Sequence, residues 1–199
     1  MTNRREFLRA ASVAAFPGLA AAAERDTAAR HRTEHIAVHA ILIDTRHAEA
    51  RSVGARLAAA GSPVHAISDG DVTQVWWRHI RPAWAREPLT VAGVTERPAL
   101  FCLEQLASAC RLRVVFHGEH TLHTIGRTQH QVWRGAEAAD LSRHDLRRAG
   151  PLWPTLIANA IATSASCARH PRFGLSDAAR APVLPDGARL LTSWVIAAA

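Results

Sequence analysis

Four short apolar runs, separated by stretches with helical spacing, constrain the fold more than any other feature of this chain. The first, His35 to Ile43, carries Ile36, Val38, Ile41, Leu42 and Ile43. Its nearly continuous final triplet suits a strand buried on both faces. His47 to Ala60 then places Ala50, Val53, Leu57 and Ala60 on one helical face and is closed by Gly61, a residue that readily takes the left-handed conformation past a helix end. Val64 to Ile67 reads as a second strand, and Asp71 with Gln74 predicts a capping box for a helix that Pro82 interrupts. Leu89 to Val94 is a third strand. A helix follows from Pro98, a good first-turn residue, to about Leu112, and Val114-Val115-Phe116 is the fourth strand. This alternation predicts an α/β domain built on an open, mostly parallel sheet with helices on both faces.

The remainder predicts a small C-terminal extension. A polar, hairpin-like stretch runs through His123, Gly126, His130 and Trp133, followed by helices from about Glu137 to Arg148 and from Pro154. Arg169 to Arg189, rich in Pro and Gly, reads as a long loop, and Leu190 to Ala197 as a closing apolar strand.

In parallel sheets, ligands bind beyond the carboxyl ends of the strands. Each predicted strand exit here is polar. Asp44, Thr45 and Arg46 leave the first strand, Asp69 and Asp71 the second, Thr95, Glu96 and Arg97 the third, and His117, Glu119 and His120 the fourth. Asp71 and Thr95 also stand where helix N-termini need acceptors. His117, Glu119 and His120, with Arg46 as an anion or oxyanion partner, form the candidate catalytic group, because a carboxylate beside imidazoles supports general acid/base work. Asp44, Thr45, Asp69, Thr95 and Arg97 complete the expected binding rim. Alternation along a strand would put His117 and Glu119 on one face as two metal ligands, which is short of a full ligand set. Trp76, Trp77 and Trp84 fall within nine residues, and they suit either the lining of a pocket for an aromatic or sterol-like ligand or a packed seam.

Well-marked activities are excluded by inspection. No G-x-G-x-x-G follows the first strand, and there is no P-loop, no G-x-S-x-G and no C-x-x-C-H, so no cofactor is indicated by motif. All 24 basic residues are Arg, Lys and Tyr are absent, and the formal charge is +7. The arginines are interspersed with acids and form no basic stripe, which argues against a nucleic-acid partner. Cys102 and Cys110 lie about 12 Å apart along one predicted helix, too far to bridge. They read as members of an apolar helix face, with Cys167 as the other possible partner of either.

The N-terminal segment bears on location. Arg4 and Arg5 are adjacent, Phe7, Leu8 and Arg9 follow, and Ala10 to Ala23 is a weakly apolar run broken by Pro17 and Gly18. This pattern resembles the twin-arginine translocation (Tat) export signal, departing from it at Asn3, where the family usually has Ser or Thr. The apolar run is shorter than the ~20 residues that span a bilayer, so no stable membrane anchor is expected after cleavage. The resemblance implies a leader over residues 1–23 cut after Ala23, a flexible lead-in over 24–34, and one α/β domain over 35–199 in the periplasm. The leader's three Arg and one Glu take two positive charges from the total, leaving +5 on the mature chain. The resemblance also implies the Tat machinery as a partner and export in the folded state. The expected function is a small-molecule-binding protein or an accessory subunit of a larger periplasmic enzyme, with a hydrolase or lyase using the His/Glu cluster as the alternative. Replacing Arg4 and Arg5 together by Lys should strand a folded precursor in the cytoplasm, read by fractionation; unchanged export would refute the leader assignment.

Overall fold

A computed structural model describes residues 38–124, 126–132, 141–166 and 184–198. The expected leader and lead-in, Trp133, Cys167 and most of the 169–189 loop lie outside these residues. The elements in chain order are β1 (Ala40–Asp44), α1 (Ala48–Ala59), β2 (Val64–Ile67), α2 (Thr73–Val75), a π-helical turn (Trp76–Ile80), α3 (Arg81–Trp84), β3 (Val91–Thr95), α4 (Arg97–Ser108), β4 (Leu112–Leu122), β5 (Thr128–Val132), α5 (Arg143–Ala149), a 3-10 turn (Gly150–Leu152), α6 (Trp153–Ala165) and β6 (Arg189–Ala198).

The α/β class stands, and the sheet is mixed. Among the described residues six strands lie in the order β2-β1-β3-β6-β4-β5. β1 pairs parallel with β2 and β3, whereas β6 pairs antiparallel with both β3 and β4, and β5 antiparallel with β4. β1 to β4 therefore point one way, as the strand-helix alternation requires, but β6 enters between β3 and β4 in the opposite sense. The chain's last apolar run is thus a central strand, buried from Leu191 to Ala197. What reads as a C-terminal extension supplies the middle of the sheet.

Alternation divides the core into two layers. Ile41, Ile43, Ala92, Val94, Phe116 and Val195 pack with Val53 and Leu57 of α1 and Trp153, Ile157 and Ile161 of α6. Ala40, Leu42, Val91, Trp194 and Ile196 pack on the other face with Val75, Ile80, Trp84, Leu100 and Leu103 of α2 to α4. Both faces of the sheet are covered, which is why β1 and β3 are buried throughout and apolar up to their last residues, Asp44 and Thr95.

Four local expectations change. The helix does not stop at Pro82, because the π turn at Trp76–Ile80 precedes it and Pro82 falls at the start of α3, where its missing N–H is not needed. Asp71 accepts from the Thr73 backbone N–H at 2.8 Å, an Asx turn in place of the capping box. His117 to His120 are not a strand exit. They lie inside the 11-residue β4, whose backbone finds partners in β5 on one side and β6 on the other, with a bulge at Val115. Cys102 is exposed on α4 and Cys110 is half-buried, so only Cys110 packs on the apolar layer. Among the described residues no helix is long and apolar enough to cross a membrane.

Gly93 shows how tightly β6 is seated. A Cβ built there would stand 2.5 Å from Cζ2 of Trp194 and 2.7 Å from the Leu42 carbonyl oxygen. Neither a buried indole nor a backbone oxygen can give way by rotation. Gly93→Ala should therefore cost about 2–3 kcal/mol, measured by denaturant unfolding; a loss under about 0.5 kcal/mol, the scale of a surface substitution, would show that Trp194 does not pack as described.

Candidate functional site

The carboxyl ends of β1, β2 and β3 meet on one edge because the three strands are parallel neighbours. Asp44 is the last residue of β1 and is fully buried. Two residues on, Arg46 turns back over it, with its Nε 3.0 Å from Asp44 Oδ1 and its Nη2 2.7 Å from Oδ2. This two-pronged contact is the geometry in which a guanidinium binds a carboxylate most strongly. The same guanidinium reaches Asp69 Oδ1 at 3.1 Å and Glu96 Oε2 at 3.1 Å. Asp69 is presented by the turn after β2, with a φ of 53° that Asp tolerates better than most residues. Glu96 follows β3 and is the N-cap residue of α4. One side chain thereby ties together the exits of three strands. Burial would push the Asp44 carboxyl up, but hydrogen bonds and charge from Arg46 outweigh it and hold the group below its ordinary value.

His47 completes this cluster. It is the N-cap residue of α1, its ring is buried, and its Nε2 lies 3.0 Å from Glu96 Oε1. Its Nδ1 is buried without a hydrogen-bond partner. Asp44, His47 and Glu96 each offer one ligand atom, all within 4.8 Å of one another. Thr45 points elsewhere, donating its hydroxyl to the Ile67 carbonyl at 3.3 Å.

A second group lies further along the same edge. Glu119 of β4 stands opposite Thr192 of β6, which stands opposite Thr95 of β3. The Thr192 hydroxyl donates to the Thr95 carbonyl at 2.8 Å, and the Trp194 indole N–H donates to Thr95 Oγ1 at 3.1 Å. Buried hydroxyls are satisfied in this way across the sheet. Arg97 Nη1 and His117 Nε2 each stand 3.8 Å from Glu119 Oε1. Burial, assisted by the charge of Arg97, pushes the His117 imidazole down to about 4, so it is neutral at pH 7.

His120 is on the opposite face of β4. Its Nδ1 is 2.9 Å from Nδ1 of His130 on β5, its Nε2 is 2.9 Å from Ser193 Oγ, and its ring lies 4.4 Å from that of Trp153 on α6. Both His120 and Ser193 are fully buried. Burial holds His130 down at about 4, and it holds His120 well below the ordinary imidazole value with help from neighbouring His130.

The four candidate catalytic residues thus fall in three places. His117 and Glu119 are together, Arg46 belongs to the Asp44–Asp69–Glu96 cluster, and His120 is across the sheet against the β4–β5 hairpin. The three tryptophans occupy three environments: Trp84 is core and donates to the Leu89 carbonyl at 2.8 Å, Trp76 packs edge-on against it, and Trp77 is exposed under the guanidinium of Arg81. Sequence reasoning missed His47 and left Glu96 out of the candidate residues. Their signal was topological: Asp44-x-Arg46-His47 and Glu96 follow two strands that pair side by side.

No protein-family model matches the chain, and comparison with curated proteins and with solved structures returns no match.

The neutral imidazoles make stability depend on pH. Below the ordinary value of 6.5 the unfolded chain binds protons at these positions that folded His117 and His130 do not take until about pH 4. Their contribution is complete above pH 6.5 and is lost as pH falls from 6.5 towards 4. The thermal midpoint should fall over that range, and His130→Gln should reduce the fall; a midpoint unchanged between pH 7 and 4.5 would contradict the buried neutral state.

Proposed function

We propose that this is a Tat-exported periplasmic protein that binds a small polar molecule at the rim formed by Asp44, Arg46, His47, Asp69 and Glu96. The observation that carries this reading is the gathering of three carboxylates from three separate strand exits around one guanidinium. One carboxylate would suffice to pair Arg46. The surplus gives the rim a net negative charge that the fold alone does not require, and it sits where parallel strands place ligand sites. Half-exposed Glu96 and exposed Asp69, at 32% and 82%, leave the cluster open on its outer side. A binder of this kind can act alone or deliver its ligand to a larger periplasmic enzyme.

One observation supports a second reading. His117 is a neutral imidazole 3.8 Å from Glu119 with Arg97 alongside, a set that can move a proton next to an anion-binding group in a hydrolase or lyase. The binding reading is preferred because the hydroxyl that touches a histidine, Ser193, is sealed on the far face and cannot attack a substrate.

The two readings separate on variants. Native mass spectrometry of protein recovered from the periplasm should show a copurifying small molecule whose occupancy falls on Glu96→Gln and persists on His117→Gln. The loss expected for one charge-assisted contact is roughly tenfold or more in affinity. Occupancy indifferent to Glu96→Gln, with turnover abolished by His117→Gln, would favour the second reading.

A further inference from the structure

We infer that Asp44, His47 and Glu96 form a site for a divalent transition-metal ion, and that Arg46 is the internal cation that holds the site when no metal is bound. The ligand set is one imidazole nitrogen and two carboxylate oxygens, and their atoms already lie within 4.8 Å of one another. A tetrahedral ion with bonds near 2.1 Å needs separations of about 3.4 Å. The required closure is therefore on the order of an ångström, within reach of Glu96, which stands on the outer side of the cluster.

The charges point to the same occupant. Asp44, Asp69 and Glu96 set against Arg46 leave two carboxylate charges uncompensated, and a divalent ion cancels them. The guanidinium marks the position. Its Nη2 sits 2.7 Å from Asp44 Oδ2 and 3.1 Å from Glu96 Oε2, in the gap between the two carboxylates. Arg46 is 37% exposed, and its Nη1 already holds the outlying Asp69 at 3.1 Å. It can swing outward onto Asp69, leaving two neutral pairs: the ion with Asp44 and Glu96, and Arg46 with Asp69.

His47 supplies an independent observation. Its ring is buried. Among the described residues its polar partner is Glu96, reached through Nε2, which is aimed into the cluster. A packed helix N-cap position gains nothing from an imidazole that makes no capping bond, whereas a ligand set gains its nitrogen donor. A single imidazole with two carboxylates suits Zn²⁺, Mn²⁺ or Fe²⁺ better than Ca²⁺, which takes six to eight oxygens. Three protein ligands leave at least one coordination position open. This last point rests on the binding reading: the small molecule would be one with an anionic oxygen donor for that position.

The test uses the full chain stripped with a chelator and titrated calorimetrically with Zn²⁺ or Mn²⁺ alone. One ion should bind per chain, His47→Gln should weaken it roughly tenfold or more, and Arg46→Met should tighten it, because the competing cation is gone. An ion caught by surface histidines would be indifferent to both changes. If His47→Gln does not fold, Glu96→Gln serves in its place. Absence of binding, binding unchanged in these ligand variants, or weaker binding in Arg46→Met would each overturn the site. A bound metal with no copurifying molecule would leave this inference standing and remove the small-molecule reading; a copurifying molecule without metal would do the reverse.

Discussion

The architecture depends on the insertion of β6 between β3 and β4. Three parallel strands carry the first half of the chain, and a long strand with its hairpin carries the second; neither half has its edge covered until β6 pairs with both. The seat is specific. Trp194 fits against Gly93 where no Cβ could stand, and its indole N–H ends on Thr95. Through Thr192 and Thr95 the same strand lines up the row that runs from Glu119 to the exit of β3, so the position of the rim follows from how the core closes. Pairing Thr95 with Thr192 also joins residues far apart in sequence, a topology that folds comparatively slowly. That gives the proposed export in the folded state, which rests on the leader's resemblance alone, a reason without appeal to a cofactor.

The rim itself is a problem of charge. Asp44 is buried at a strand end, and a lone buried carboxylate would be strongly unfavourable. Arg46 resolves this by folding back from only two residues away, so the pair forms within one turn. The placement of Asp69 and Glu96 around the same guanidinium is not needed for that purpose. Structural ion pairs tend toward neutrality, and a cluster with surplus negative charge beside a buried imidazole is better explained by something it holds. Functional sites are where such locally unfavourable arrangements concentrate.

Much of this was legible in the sequence. The apolar triplet Ile41-Leu42-Ile43 reads as a strand buried on both faces, and it is one; Gly61 ends α1 with a φ of 89° as its position suggests. The polar exits Asp44, Arg46 and Asp69 were identifiable as a rim from the strand-helix alternation. What was not legible was strand order. The run Leu190 to Ala197 declares a strand but not its neighbours, and without β6 in the centre β4 looks like a three-residue strand with His117 to His120 as its exit. Period two alone then separates His117 and Glu119 from His120. His47 was hidden for a related reason, since it occupies a helix N-cap position, and Glu96 was legible only as a polar strand exit; the side-by-side pairing of β1 and β3 brings the two together.

A diffraction measurement at the zinc absorption edge, on crystals equilibrated with Zn²⁺, tests the proposed site where Arg46 now sits. An anomalous peak is expected about 2.1 Å from atoms of Asp44, His47 and Glu96, with Arg46 rotated outward onto Asp69. An Arg46 guanidinium still seated between Asp44 and Glu96, with no peak beside His47, would contradict it.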